Sequence, residues 1–236
     1  MQPMYNTAGN ADGQRQAPGD FLSRLPQQEL QDLKALAHTS AYPSGIRLFS
    51  EKDPASGIYV VIEGEVKLSM NSAEGKRLIL RIARCGEVLG LASALSGRPC
   101  EMTAEVLYPA RIASIRRSDF LAFLARHPDA YRTVTEELSR SYNLACDQLR
   151  TVGLSASAPE KLARLLLEWS QNGQVTERGT RCRFPLTHGE IGEFIGASRE
   201  TVTRTLSTFK SRHLIAFNGS TLTIPSRAAL EDLAHT

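Results

Sequence analysis

Hydrophobic and polar positions follow two different patterns along the chain, and the change falls near Arg117. From about residue 45 to 115, short apolar or alternating runs at 46–49, 58–62, 66–70, 78–82, 102–107 and 111–115 are separated by turn residues. Runs of this length predict strands, and Gly57 and Gly64, in Asp-Pro-Ala-Ser-Gly and Glu-Gly-Glu turns, are placed to supply positive φ. Many short strands with frequent turns predict an antiparallel sandwich or barrel.

Beyond Arg117 the spacing becomes helical. Ser118 is placed to cap a helix through Ala125, and His127-Pro128 breaks it. A long helix is then predicted to about Thr151. Within it Tyr131, Thr135, Leu138, Tyr142, Ala145, Leu149 and Val152 recur at steps of four and three, the pattern of a seam between two helices packed along their length. Packing of that stripe on the chain's own sheet remains the alternative reading. Residues 153–157 read as a hinge, with Gly153 as a C-terminal helix cap.

A second unit follows. Ser157-x-x-Glu160 reads as a capping box with Pro159 in the first turn, opening a helix whose buried stripe is Leu162, Leu165, Leu166 and Trp169. Thr187-x-x-Glu190 is a second such box, before a short helix that carries Ile191, Phe194 and Ile195 and stops at Gly196. Ser198 caps the next helix, which turns Val202, Leu206 and Phe209 inward and therefore Arg199, Glu200, Thr203, Arg204 and Ser207 outward. Asn218-Gly219 between two short apolar runs predicts a hairpin, and a last helix starts at Ser226. Two capped helices, a tight Gly-Ala turn and a hairpin describe a winged helix-turn-helix. The expected fold class is α+β, with an N-terminal antiparallel β-roll, a long dimerisation helix and a C-terminal winged helix-turn-helix. Its expected divisions are a flexible tail at 1–20, the roll at 21–127, the long helix at 128–152, the hinge at 153–157 and the winged helix at 158–236.

Charge changes this picture by its placement, since 28 Lys and Arg against 25 Asp and Glu leave a net +3 over 236 residues. From Ser198 to Arg212, however, Arg199, Arg204, Lys210 and Arg212 oppose Glu200 alone, four cations less one acid. A basic face on the outward side of a recognition helix points to double-stranded DNA, because Arg forks match guanine O6 and N7 and Glu accepts from the cytosine amino group. An apolar run of the roughly 18–20 residues that cross a bilayer is missing, and the first residues lack the basic start and apolar stretch of a secretory leader. Cys85, Cys100, Cys146 and Cys182 show no C-x-x-C spacing. Reduced thiols, a cytoplasmic location and no membrane or metal partner are therefore expected.

The segment Ile191-Gly192-x-x-Ile195-Gly196-Ala197-Ser198-Arg199-Glu200-Thr201-Val202-Thr203-Arg204 resembles the DNA-binding signature of the Crp/Fnr family of bacterial transcription regulators. Gly57-Ile58-Tyr59-Val60-Val61-Ile62-Glu63-Gly64-Glu65-Val66 is similar to the glycine-punctuated strand pair of that family's β-roll. The resemblance implies a homodimer that reads G·C pairs of a palindromic TGTGA-like operator through Arg199, Glu200 and Arg204. It implies phosphate contacts from Thr187, Ser198, Thr201, Thr203, Lys210, Asn218 and Ser220, and RNA polymerase as a further partner.

On the effector side the sequence departs from the pattern of cyclic-AMP-responsive members, in which Gly-Glu-Leu and a later Arg-Ser/Thr-Ala cradle ribose and phosphate. The candidate pocket here is Gly90, Leu91 and Ala92 with Cys100, Glu101 and Thr103. Leu91 stands for the ribose-binding Glu, Cys100 for the phosphate-binding Arg, and Glu101 adds a charge that repels phosphate. Cyclic AMP in the usual mode is not expected, although a shifted register using Gly86-Glu87-Val88 and Arg98 offers a second placement. An iron–sulfur cluster is not expected either, because Fnr-like members need cysteines near the N-terminus and none precedes Cys85. Haem would have to use His38, read as a loop residue, or His127, and a thiol sensor would use Cys85 or Cys100. An enzyme is not expected: His188 beside Glu190, or Cys100 beside Glu101, comes without a third orienting group. The effector itself stays unassigned.

Overall fold

The computed structural model describes residues 21–153, 157–171 and 173–234. The expected tail at 1–20 and the middle of the expected hinge, 154–156, lie outside the described residues.

A 3-10 turn at Leu22–Arg24 and helix α1 (Gln27–Leu36) lead into β1 (His38–Tyr42), β2 (Arg47–Phe49), β3 (Gly57–Glu63), β4 (Val66–Asn71), β5 (Arg77–Ala83) and β6 (Val88–Leu89). Helix α2 (Leu91–Ser96), β7 (Thr103–Val106), β8 (Ala110–Arg116) and α3 (Arg117–Arg126) close this half, and α4 (Ala130–Gly153) is the long helix. The second half holds α5 (Ala158–Trp169), β9 (Gln174–Thr176), β10 (Gly179–Arg183), α6 (His188–Ile195), α7 (Arg199–Ser211), β11 (Ala216–Asn218), β12 (Thr221–Ile224) and α8 (Arg227–Ala234). Two antiparallel sheets, β1-β8-β3-β6 and β2-β7-β4-β5, form the roll, and β11-β12-β10-β9 forms the wing.

Several local expectations need correction. Gly57 does not take positive φ; it starts β3, where a Cβ would run into the Ile115 carbonyl of the paired strand β8, so close approach is what demands glycine. Gly64 does lie in that region, at φ +90°. Ser118 sits inside the first turn of α3, whose N-cap is Arg116, and its hydroxyl goes to Asp119 Oδ1. Ser157 is the N-cap of α5, but its hydroxyl donates to Glu160 Oε1 at 3.0 Å instead of accepting from the backbone, so that capping box does not close. Gly153 is the last residue of α4 rather than a cap beyond it. His38 lies in strand β1 opposite Ser114, not in a loop. Asn218 ends β11 opposite Thr221, so the hairpin loop is Gly219-Ser220, one residue later than expected.

One strand joins the two halves. In β5, Leu68 of β4 pairs with Arg81 while Ser69 pairs with Ile79, so Leu80 is an extra, bulged residue. The bulge breaks the alternation of sides. Ile79 is fully buried in the same cluster as Leu162, Ile191 and Leu206, with Ile82 packed against it, whereas Leu80 and Arg81 turn to a cavity under α4. Around this strand Lys67 Nζ reaches Glu190 Oε1 at 2.8 Å and Glu105 Oε1 at 3.0 Å, and Gln148 Nε2 donates to the carbonyls of Ile79 and Phe194. The winged helix is thus docked on the roll by an apolar contact with a buried polar frame. No helix among the described residues is long and apolar enough to cross a membrane.

Candidate nucleic-acid interface and effector cavity

The recognition element is built from local signals. Thr187 Oγ1 accepts from Glu190 N and Glu190 Oε2 accepts from Thr187 N, a closed capping box that starts α6. Gly196, at φ +67°, ends the helix in the left-handed region that favours glycine, and Ser198 Oγ accepts from Thr201 N to start α7. Val202, Leu206 and Phe209 anchor α7 in the core. Arg199, Glu200, Thr203, Arg204 and Ser207 are exposed on its far side, as the period requires. Among the described residues neither Arg199 nor Arg204 has a carboxylate partner in a salt bridge, so Glu200 and Arg204, although four residues apart on one helix, do not pair. The backbone N–H of Glu200, then the Ser198 hydroxyl and the Arg199 charge, hold the Glu200 carboxyl below the usual carboxylate range. It is an ionised acceptor between two free guanidinium groups.

The residues expected to touch phosphates fall into two groups. Thr187, Lys210 and Ser220 line one groove between the wing and the two helices, together with His188, whose Nδ1 lies 2.8 Å from Thr203 Oγ1. Asn218 instead faces a second cleft, with Arg178 and Arg181. Some hydroxyls are already engaged: Thr187 donates to Glu190 Oε2, Thr203 to the Arg199 carbonyl, and the hydroxyls of Ser198 and Thr201 lie 3.1 Å apart. The ammonium of Lys210 rests 5.3 Å from the Phe217 ring centroid.

The second candidate site is a cavity of about 100 Å³ between the roll and α4. Gly90, Leu91, Ala92 and Glu101 line it as expected. Cys100 and Thr103 do not: Cys100 is buried beside it, with its thiol pushed up chiefly by that burial, and Thr103 Oγ1 accepts from Glu51 N. The shifted register fares no better, because neither Glu87 nor Arg98 lines the cavity. Glu87 is bound by Arg81 and lies 3.8 Å from Arg140, which in turn grips Glu137 with both Nε and Nη2. Glu137 is fully buried and also holds Arg24, so this chain of charges runs from the cavity wall across α4 to the first turn of the chain's described part.

Residues 39–127 match the family of cyclic nucleotide-binding domains, and residues 160–233 match the Crp-like helix-turn-helix domain. The chain belongs to the Crp/Fnr family. It is similar to the CRP-like cAMP-activated global transcriptional regulator of Mycobacterium tuberculosis, 28% identical over 78% of this chain and 82% of that protein. It is equally similar to the nitrogen fixation regulation protein FixK of Bradyrhizobium diazoefficiens, 28% identical over 90% and 88% of the two chains. The structure of FixK2 from Bradyrhizobium japonicum shares its fold, with a TM-score of 0.74, 24% identity and coverage of 84% of this chain and 96% of that one. As a Crp/Fnr family member it is a DNA-binding transcription regulator with an antiparallel roll, a long helix and a helix-turn-helix.

Within this family member, sequence reasoning missed Arg178 and Arg181 at the wing and Leu80, Arg81 and Leu144 at the cavity, and it gave His188 and Leu138 no place in the groove or on the cavity wall. Arg178 lies in the turn, and Arg181 on the second strand, of a hairpin too short and polar to announce itself. The cavity residues come from strands and a helix far apart in sequence, and no local spacing marks them.

Proposed function

We propose that the chain works as a homodimer that reads a palindromic TGTGA-like operator through Arg199, Glu200 and Arg204. The observation that carries this reading is the α7 surface: three base-reading side chains exposed without salt-bridge partners on α7 itself, while Val202, Leu206 and Phe209 fix the helix from behind. The groove holding Thr187, Lys210 and Ser220, with Ser198, Thr201 and Thr203 on the helix beside it and Asn218 on the second cleft, supplies phosphate contacts that set register without carrying sequence.

Support for the dimer comes from the two sides of α4. Ala130, Thr133, Val134, Glu137 and Gln148 are buried against the chain's own roll and winged helix. The other side leaves Tyr131, Tyr142 and Leu149 at 47%, 69% and 63% exposure, with Thr135 exposed between them. Leu138, Ala145 and Val152 are half-buried. A second α4 covering this stripe turns exposed apolar area into an interface, and symmetry then makes the operator palindromic. In this reading 21–127 senses, 128–152 dimerises, 153–157 hinges and 158–236 binds DNA in the cytoplasm, with RNA polymerase as the downstream partner. An effector switches such a dimer only by favouring one arrangement of the winged helices over the other.

Cyclic AMP in the family's usual mode finds neither a ribose-binding carboxylate at Leu91 nor a phosphate-binding guanidinium at Cys100. Gel shifts with a TGTGA palindrome test the DNA reading, and sedimentation of the free protein tests the dimer. Arg204→Ala should bind the operator roughly 5- to 150-fold more weakly and lose preference at one G·C pair. Wild-type affinity and selectivity in that variant would overturn the assignment.

A further inference from the structure

The cavity under α4 has a composition that names the chemistry of its occupant. Its walls are mostly apolar: Phe49, Leu68, Leu80 and Leu89 come from the strands, Leu91 from α2, and Leu138, Leu144 and Ala145 from α4. Among the described residues Arg81 is its one cation, and that guanidinium is already bonded to Glu87. Glu87 is in turn close to Arg140, and Arg140 is held by Glu137, so every charge behind the wall has a partner. The remaining charge is Glu101, exposed at the rim, where it disfavours anions. Ser93 and Ser141 provide the only hydroxyls on the lining among the described residues.

We infer that this cavity takes an uncharged, mainly apolar molecule about the size of a single ring. A phosphate or carboxylate entering here would have to strip Arg81 from Glu87 and leave a buried carboxylate short of a partner. An apolar molecule needs no such exchange and gains the contacts its walls now lack. Size points the same way. A dry cavity of about 150 Å³ lined by aliphatic and aromatic side chains holds benzene, while pockets for drug-sized ligands run from about 300 Å³ upward. At about 100 Å³ the present cavity belongs with the former.

The occupant would also be placed to act. Leu138 and Ala145 belong both to the cavity wall and to the α4 stripe proposed to meet a second copy, so filling the cavity bears directly on that seam. This inference rests on the roll being the effector domain of a DNA-binding regulator.

The test is melting of the full chain, purified without added ligand, in the presence of toluene, benzoate or cyclic AMP. Toluene and benzoate share a ring and differ in charge. Toluene at about five times its Kd should raise Tm by about 2–4 °C, and the two anions should leave it unchanged. Leu144→Trp, which fills the cavity, should remove the toluene response while keeping the wild-type circular dichroism spectrum. Met102→Trp, placed on the lining away from α4, serves the same purpose if Leu144→Trp does not fold. A shift with benzoate or cyclic AMP equal to that with toluene overturns the inference, as does no shift with toluene. Gel shifts on the same preparation read the DNA proposal separately. Operator binding without a toluene response overturns only the cavity inference, whereas a toluene response without operator binding overturns only the DNA reading.

Discussion

The surface of α7 and the cavity under α4 are made by opposite means. One is convex, charged and exposed, and it is held by caps and a turn lying within the 18 residues from Thr187 to Arg204. The other is concave and apolar, and its walls come from residues as far apart as Phe49 and Ala145. Loss of a cap at the first frays one helix end. Loss of packing at the second is felt by both sheets and α4 at once. A regulator built this way keeps a reading surface that tolerates local change and couples its sensing region to everything around it.

Four measurements would break or sharpen that contrast. The largest effect is expected from Leu206→Ala behind the reading face, about 2–5 kcal/mol of stability by urea denaturation. Its transition should be that of the winged helix; equal loss of toluene-induced stabilisation would show the two regions to be one unit. Next is Lys67→Met at the junction, about 2–3 kcal/mol at neutral pH, because Glu105 keeps Arg77 and Glu190 keeps its cap. Burial alone would raise the carboxyls of Glu190 and Glu105, but hydrogen bonds and charge from Lys67 outweigh it and hold both below the usual 4.5. Stability from a depressed carboxyl is complete above the unfolded value and is lost as pH falls through the folded one. The wild type should therefore weaken on acidification below about pH 4.5, and Lys67→Met should weaken less steeply, in urea midpoints taken across that range.

Arg204→Ala follows, at about 1–3 kcal/mol of operator affinity with thermal stability unchanged within about 0.5 kcal/mol. Equal loss of folding stability would mean that α7 is not a free reading face. Smallest is Ser198→Ala, about 1 kcal/mol of stability, read by the same urea titration. A larger loss would show that this cap supports more than its own helix end.

The same contrast explains what could be read from sequence. Thr187, Ser198 and Gly196 announce α6 and α7 because their chemistry is closed within three or four residues. Ser157-Glu160 carries the same letters, yet there the two side chains bond each other, a choice made by geometry that spacing does not encode. Strand β3 was legible from its apolar run, but the need for glycine at position 57 arises from β8, over fifty residues away. The expected pocket residues fared according to the same rule. Gly90, Leu91 and Ala92 at the start of α2 and Glu101 just before β7 face the cavity, while Cys100 and Thr103, on either side of Glu101 and Met102, turn away from it. Arg81 and Leu144, and the place of Leu138 on the cavity wall, became visible only when distant elements met.

The bulge at Leu80 lets two consecutive residues of β5 share one side. Leu80 and Arg81 both reach the cavity, where strict alternation would admit only one of them. Substitutions there exchange one side chain for another on the same side. A deletion of Leu80 would restore strict alternation, keep Arg81 opposite Leu68 on the cavity side and Ile82 toward the cluster around Leu162 and Ile191, and remove one apolar wall of the cavity. The inserted residue therefore belongs to the cavity rather than to the sheet: the register of β5 runs on without it, and its loss opens the cavity while leaving the contact with the winged helix as it is.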